Sequence, residues 1–326
     1  MTKIIAELCQ NHNGDRELLG KMIKAAAAAG ADYVKGQMIF SEDLTHRPRF
    51  DQGLIEENGT VKTIKRPLSA ELERLKKLDL KDDDYKWFVD ECARSGVRPL
   101  LTIFTRKRIS LAAKLPWPEK VVKVASPDII SLPFLRELGD VFDHLIISTG
   151  GATDEEIKQA AATVKKKGKK LTLLHCVSLY PNSLDICNLR RINFLKRLTD
   201  SVGWSDHTLV ARDGIKAAQA AMAQGADFIE RHFTVLSSEQ SKDGPVSITP
   251  ALLKALKSFS RLSPDEQIAV ITKEFPDDWE ILLGLETRLL THQERLNMDY
   301  FRGRFASRVG ARWIYNWEDI PLYYKD

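Results

Sequence analysis

One unit occurs twice in this chain and limits the fold more than any bulk property. "IKAAAAAGADYVKGQ" (23–37) and "AAQAAMAQGADFIERHF" (217–233) both run from a small-residue helix through Gly-Ala-Asp to an aromatic, a short strand and a polar end. Recurrence of a helix–strand unit near both ends of a long segment requires a fold made of such units. Strand candidates lie at 4–9, 33–37, 99–104, 121–126, 145–150, 171–177, 201–206 and 227–233. Val, Ile and Leu dominate them with little alternation, as in parallel strands covered on both faces. Helical patterns at 16–29, 82–95, 154–167, 189–199 and 211–224 separate them, and Gly30, Gly96, Gly168 and Gly225 stand where helices should stop. Eight strands in this rhythm predict an α/β fold, a (β/α)8 TIM barrel. The main competitor, a doubly wound open sheet, calls for a glycine-rich first turn that "CQNHNGD" does not supply.

The 326 residues exceed one minimal domain, and the reading divides them into a barrel at 1–261 and an extension at 262–326. A charged insertion at 38–80 is expected to add a helix pair over one barrel end. The extension ends in "YFRGRFASRVGARWIYNWEDIPLYY", whose aromatics suggest docking on the barrel or on another subunit. A net charge of +4, spread along the chain, suits anionic small ligands better than nucleic acid. The four cysteines show no CxxC spacing. No apolar run approaches a membrane span, and "MTKIIAELCQ" lacks a signal peptide's apolar segment. Reduced thiols and a cytoplasmic setting are expected.

In a barrel the C-terminal strand ends carry the chemistry. Here they hold Glu7, Lys35 and Gln37, Thr102, Lys123 with Ser126 and Asp128, Ser148, His175 with Ser178 and Tyr180, Ser205 with His207, and Glu230 with His232. Taken singly, each histidine is more often an ordinary hydrogen-bonded side chain. His207 and His232, however, end neighbouring strands and should project into one mouth, where they could share Mn²⁺, Mg²⁺ or Co²⁺. Lys35 and Lys123 end otherwise apolar strands. With the hydroxyls of Ser126, Ser148, Thr149 and Ser205 they form a candidate phosphate or carboxylate site. "STGGATDEE" reads as an ordinary helix entry with Thr153 as its N-cap.

The order of "IIAELCQNHNGD", "GADYVKGQ", "KVASPDI", "STGG", "LLHCVSLYP", "GWSDHT" and "IERHFT" resembles the sialic acid synthase family over about residues 3–260. That resemblance implies condensation of phosphoenolpyruvate with an N-acyl-mannosamine-type aldose, releasing phosphate. It implies His207 and His232 as metal ligands, with Mn²⁺ first. Lys35, Thr102, Lys123, Ser126, Ser148, Ser178, Tyr180 and Ser205 become phosphoenolpyruvate contacts, and Gln37 and Asp128 sugar contacts. Lys35, Lys123 and Glu230 are the catalytic candidates, with Glu230 orienting the water that adds to C2. Three departures stand out. Gly36 replaces an aromatic, Asn13 replaces an acid, and the extension does not match the antifreeze-like domain that closes the sugar site in relatives and joins them as dimers. Arg302, Arg304, Arg308 and Arg312 are candidate stand-ins for that domain's arginine. A homodimer through the extension and an open monomer are alternatives, as are a different aldose, including a phosphorylated one, and a non-catalytic binding homologue.

Overall fold

A computed structural model describes residues 1–322; Tyr323 and Tyr324, which the sequence reading included in the aromatic tail, lie outside the described residues. Eight parallel strands close a barrel: β1 (Lys3–Cys9), β2 (Tyr33–Met38), β3 (Arg98–Ile103), β4 (Val121–Val124), β5 (His144–Ser148), β6 (Lys170–Cys176), β7 (Ser201–Asp206) and β8 (Phe228–His232), with β8 pairing back to β1. The expected strands and the TIM barrel are therefore present. The duplicated unit does one job twice. Asp32 accepts from the backbone N–H of Ile4 at 2.8 Å, and Asp227 from that of Val202 at 3.0 Å, so each acid pins the start of a neighbouring strand. Gly30 and Gly225, at φ 94° and 78°, end the preceding helices in the left-handed region, where glycine is free of Cβ strain.

Strand periodicity then layers the barrel. Ile5, Tyr33, Leu100, Val121, Ile146, Leu174 and Phe228 form a buried apolar plug. Gly203 completes it, since a Cβ there would collide with Phe228 and Leu174. Side chains two residues on share the same face. Those are Glu7, Lys35, Thr102, Lys123, Ser148, Cys176, Ser205 and Glu230, all buried directly above the plug. The intervening residues face the larger core shared with the surrounding helices.

Three local expectations need correction. The 38–80 insertion carries one full helix, Leu68–Lys76, with a short helix Arg49–Gln52 and a hairpin of Leu54–Ile55 with Val61–Thr63, rather than a helix pair. The 211–224 helix is two, Val210–Asp213 and Lys216–Ala223, because the chain turns at Gly214 with φ 57°. The 189–199 helix shortens to Arg191–Lys196. Thr153 caps its helix as expected, within a capping box with Glu156.

From Pro264 the chain adds helices Pro264–Glu274, Pro276–Leu283 and His292–Phe301, then a hairpin of Ser307–Val309 with Arg312–Ile314. The last helix returns over the mouth and meets the insertion. Arg47 donates to the carbonyls of Tyr300 at 2.6 Å and Arg302 at 2.8 Å, satisfying that helix's C-terminal acceptors. Thr45 N–H donates to Arg304 O at 3.0 Å and Ala306 N–H to Asp43 O at 3.0 Å, joining insertion and tail by backbone pairing. No helix among the described residues is long and apolar enough to cross a membrane.

Candidate active site

The mouth of the barrel encloses a cavity of about 340 Å³. Lys35, Lys123, Ser126, Ser148, Ser178, Tyr180, Ser205, His207, Glu230, His232, Thr102 and Gln37 all line it. Its floor is a hydrogen-bonded ring of the residues above the plug. Lys35 Nζ is ion-paired with Glu7, lies 3.3 Å from Glu230 Oε1 and donates to Thr102 Oγ1 at 3.2 Å. Lys123 Nζ donates to Ser148 Oγ at 2.6 Å and to the Val124 carbonyl at 3.0 Å. Ser205 Oγ donates to Glu230 Oε1 at 2.9 Å, leaving Glu230 Oε2 buried and free to accept. Gly150 lets the β4, β5 and β6 ends converge: a Cβ there would run into Ser178 Oγ and lie 2.7 Å from Cys176 Sγ and 3.2 Å from Ser126 Oγ.

The two lysines differ electrically. Burial works against the Lys35 charge, but Glu230 and Glu7 outweigh it and hold its pKa above the ordinary value. Burial dominates at Lys123 and, with Lys35 adding repulsion against the pull of Glu230, lowers it to about 8. Glu230 is likewise buried, yet Lys123, Lys35 and the Ser205 hydroxyl keep it below the usual carboxylate range. Lys35 and Lys123 thus face Glu7 and Glu230, two cations against two anions.

Above the floor lie the metal-capable donors. His207 Nδ1 and the Val177 carbonyl are 2.8 Å apart, so Nδ1–H donates and Nε2 carries the lone pair. Burial and His232 keep that imidazole neutral, lowering it to about 3. The His207 and His232 rings are 5.6 Å apart between centroids, and the Tyr180 ring packs on His207 at 4.0 Å, tilted by 32°. His232 Nδ1 is buried with no hydrogen-bond partner. The donor group that lies together differs from expectation: it is Cys9, His232 and Asp243, whose ligand atoms lie within 4.8 Å of one another, and His207 is not among them. Cys9 Sγ–H donates to Asp243 Oδ2 at 2.8 Å. A neutral imidazole with its lone pair free, an unpartnered buried ring nitrogen, a thiol and a carboxylate together fit a divalent ion.

Two expected strand-end residues lie outside the main cavity. His175 Nε2 bonds the Cys187 carbonyl at 2.7 Å and its ring lies 4.9 Å from that of Trp204, outside the mouth. Asp128 does not line the main cavity: it accepts from Asn316 Nδ2 of the tail at 2.7 Å and lines a small neighbouring pocket behind Phe301. Of the four candidate arginines, Arg304 lines the mouth and pairs with Glu71. Arg302 pairs with Glu156 at 2.9 Å, while Arg308 and Arg312 lie on the outer hairpin. Sequence reasoning gave no role to Cys9 or Asp243 and named Glu7 only as a polar strand end. It missed Arg66, Arg74, Lys242, Asn297, Met298 and Phe301 on the rim. The i+2 step from Ile5 to Glu7 and Cys9 was a usable signal for the first strand; nothing in the pattern flags the loop residues.

The fold and site define a TIM barrel with two buried lysines in its floor and, above them, donors that fit a divalent ion. Residues 22–264 match the NeuB family model. The chain is 33% identical to the N,N'-diacetyllegionaminic acid synthase of Campylobacter jejuni over 267 residues, 78% of this chain and 74% of that protein. It is 31% identical to the N-acetylneuraminate-9-phosphate synthase of Drosophila melanogaster over 78% of this chain and 65% of the other. Its structure resembles the N-acetylneuraminic acid synthetase of Leptospira borgpetersenii, with TM-score 0.68 and 26% identity, covering 85% of this chain and 93% of that one. The chain belongs to the NeuB family, the sialic acid synthases, which are phosphoenolpyruvate-dependent transferases that form a C–C bond in making a sugar acid.

Proposed function

We propose that the chain condenses phosphoenolpyruvate with an N-acyl-mannosamine-type aldose to give a sialic-acid-like 2-keto-3-deoxy sugar acid and phosphate. The observation that carries this reading is the meeting of Lys35, Lys123, Ser148, Ser205 and Glu230 with His207, His232, Cys9 and Asp243 in one cavity. Lys35 and Lys123 hold the phosphoenolpyruvate anion, with hydroxyls of Thr102, Ser126, Ser148 and Ser205 completing its hydrogen bonds. His232, Cys9, Asp243 and His207 would hold a divalent ion, Mn²⁺ first. That ion, when bound, would polarise the aldehyde oxygen as a Lewis acid. Phosphoenolpyruvate C3 attacks the aldehyde carbon, and positive character develops at C2. Glu230 Oε2, an unused acceptor, orients the water that adds there and takes its proton. The proton held by Glu230 passes to the former aldehyde oxygen, and the tetrahedral product expels inorganic phosphate by C–O cleavage, its C2 hydroxyl proton leaving with the phosphate, to give the 2-keto acid. Holding both reactants in one mouth removes much of the entropic barrier. Four free, buried thiols support a cytoplasmic setting.

The test is phosphate release from phosphoenolpyruvate with Mn²⁺ against a panel of aldoses, alongside His207→Ala. Release with an N-acyl-mannosamine, abolished by the substitution, is the expected result. Release only with an unrelated aldehyde would move the acceptor. No release with any aldose, despite bound phosphoenolpyruvate, would leave the non-catalytic reading.

A further inference from the structure

Resting on that condensation reading, the rim of the cavity has a charge that the reaction at its floor does not use. Arg66 and Arg74 come from the insertion, Lys242 from the loop after β8, and Arg304 from the tail, and all four line the mouth. Their nearest carboxylate is Glu71, which pairs with Arg74 at 2.8 Å and with Arg304. Arg74 also donates to the neutral Gln10 side chain at 2.7 Å. Among the described residues, neither Arg66 nor Lys242 has an acidic oxygen within salt-bridge distance, and Arg304 Nε is buried without a partner. The group repels itself. Arg304 is depressed by burial, with Arg74 and Arg66 opposing its charge. Four like charges from three separate chain segments, converging on a cavity wall against two acids, Glu71 and Asp243, form a site for an anion supplied from outside.

Position selects which anion. The floor lysines lie on strands β2 and β4, whereas Arg74 lies on the insertion helix Leu68–Lys76 and Arg66 and Arg304 on loops that also line the mouth. Asp243 adjoins Lys242, and Cys9 adjoins Gln10, the Arg74 acceptor, so the donors stand between the two cationic groups. An acceptor with its aldehyde at those donors and phosphoenolpyruvate beneath it points its far end at the rim. We propose that Arg66, Arg74, Lys242 and Arg304 bind a phosphate at the end of the acceptor remote from the aldehyde, and that the acceptor is a phosphorylated aldose.

Titration calorimetry decides this without turnover, using N-acetylmannosamine, N-acetylmannosamine 6-phosphate, arabinose and arabinose 5-phosphate, each with Mn²⁺ at saturation and phosphoenolpyruvate left out. A phosphorylated sugar should bind at least about tenfold more tightly than its parent, since charge-assisted hydrogen bonds are worth about that much or more. R66A/K242A should remove the preference. Lys242→Ala alone, on the exposed rim, should remove part of it and guards against misfolding of the double variant. Equal binding of each sugar and its phosphate would overturn the assignment. So would a phosphoenolpyruvate KM that rises in step with the acceptor's, because the cluster would then serve phosphoenolpyruvate. Tight, variant-sensitive binding of a sugar phosphate with no phosphate release would support the site and sink the condensation reading instead.

Discussion

The floor and the rim of this cavity are built on different principles. Every floor residue sits two positions beyond an apolar plug residue on the same face of a strand, so barrel geometry alone sets its direction. The rim is assembled from the 38–80 insertion, the loop after β8 and the tail, held by contacts such as Arg304–Glu71, Arg47 to the Tyr300 carbonyl, and Asn297 Nδ2 to the Ser178 carbonyl at 2.8 Å. On the proposed reading, the difference separates reaction from selection. A closed barrel fixes groups that must meet reacting atoms, while loops can be exchanged without disturbing the strands.

The largest effect should come from breaking the floor. Lys35→Met leaves Glu7 and Glu230 buried without their nearest cation, a loss of about 3–5 kcal/mol for an uncompensated buried charge. Phosphate release should fall by about a thousandfold, and the melting temperature should fall with it. If Lys35→Met kept turnover while R66A/K242A lost it, phosphoenolpyruvate would be held at the rim and the division of labour would reverse.

Next comes the layer between. With Co²⁺ as a spectroscopic probe, a Cys9 ligand gives a sulfur-to-metal charge-transfer band in the near ultraviolet. Cys9→Ser should abolish it, and Asp243→Asn should weaken Co²⁺ binding by about a hundredfold, the upper range for groups that merely support ligands. A band absent from the wild-type protein, with metal affinity intact, would restrict the centre to the histidine pair.

A smaller effect follows from Lys123. Burial lowers its pKa to about 8, so its ammonium is charged below that pH and neutral above it. An anion binds the charged form better, so affinity for phosphoenolpyruvate should fall as pH rises through about 8, by at most about tenfold per unit. Lys123→Arg keeps its charge throughout and should flatten the profile. A wild-type profile flat from pH 7 to 9 would mean that Lys35 and the metal alone carry the anion.

What could be read from the sequence divides along the same line. The eight strands, their order and most floor residues were legible because β-periodicity and the Gly-Ala-Asp repeat are local signals. The metal-capable group was half legible. His232 ends a strand, but Asp243 reaches Cys9 only because the loop after β8 folds back across the mouth, a 234-residue separation that no local pattern encodes. His175 misled for a related reason. It alternates out of phase with Leu174 and Cys176, so it faces the outer core although it stands at a strand end. Asp128 follows β4 by four residues, within the turn Ser126–Ile130, where direction depends on what covers it. Here that cover is Asn316.

Asn316 therefore gives the finest test of how rim and floor are joined. Its Nδ2 donates to Asp128 at 2.7 Å and to the Phe104 carbonyl at 2.8 Å, and its Oδ1 accepts from the Arg106 N–H at 3.3 Å. Asn316→Ala removes all three and orphans a backbone carbonyl and a carboxylate, at a cost of about 1–3 kcal/mol. For a chain of this size that is a fall of several degrees in melting temperature. If Asp128 only fastens the tail, Asp128→Asn, which can still accept from Asn316, should leave the acceptor KM within about threefold while Asn316→Ala raises it, because Phe301 and Arg304 shift with the tail. If Asp128→Asn instead raises the acceptor KM tenfold with the melting temperature unchanged, Asp128 contacts the sugar directly. The tail would then open that pocket when the acceptor binds, rather than cover it.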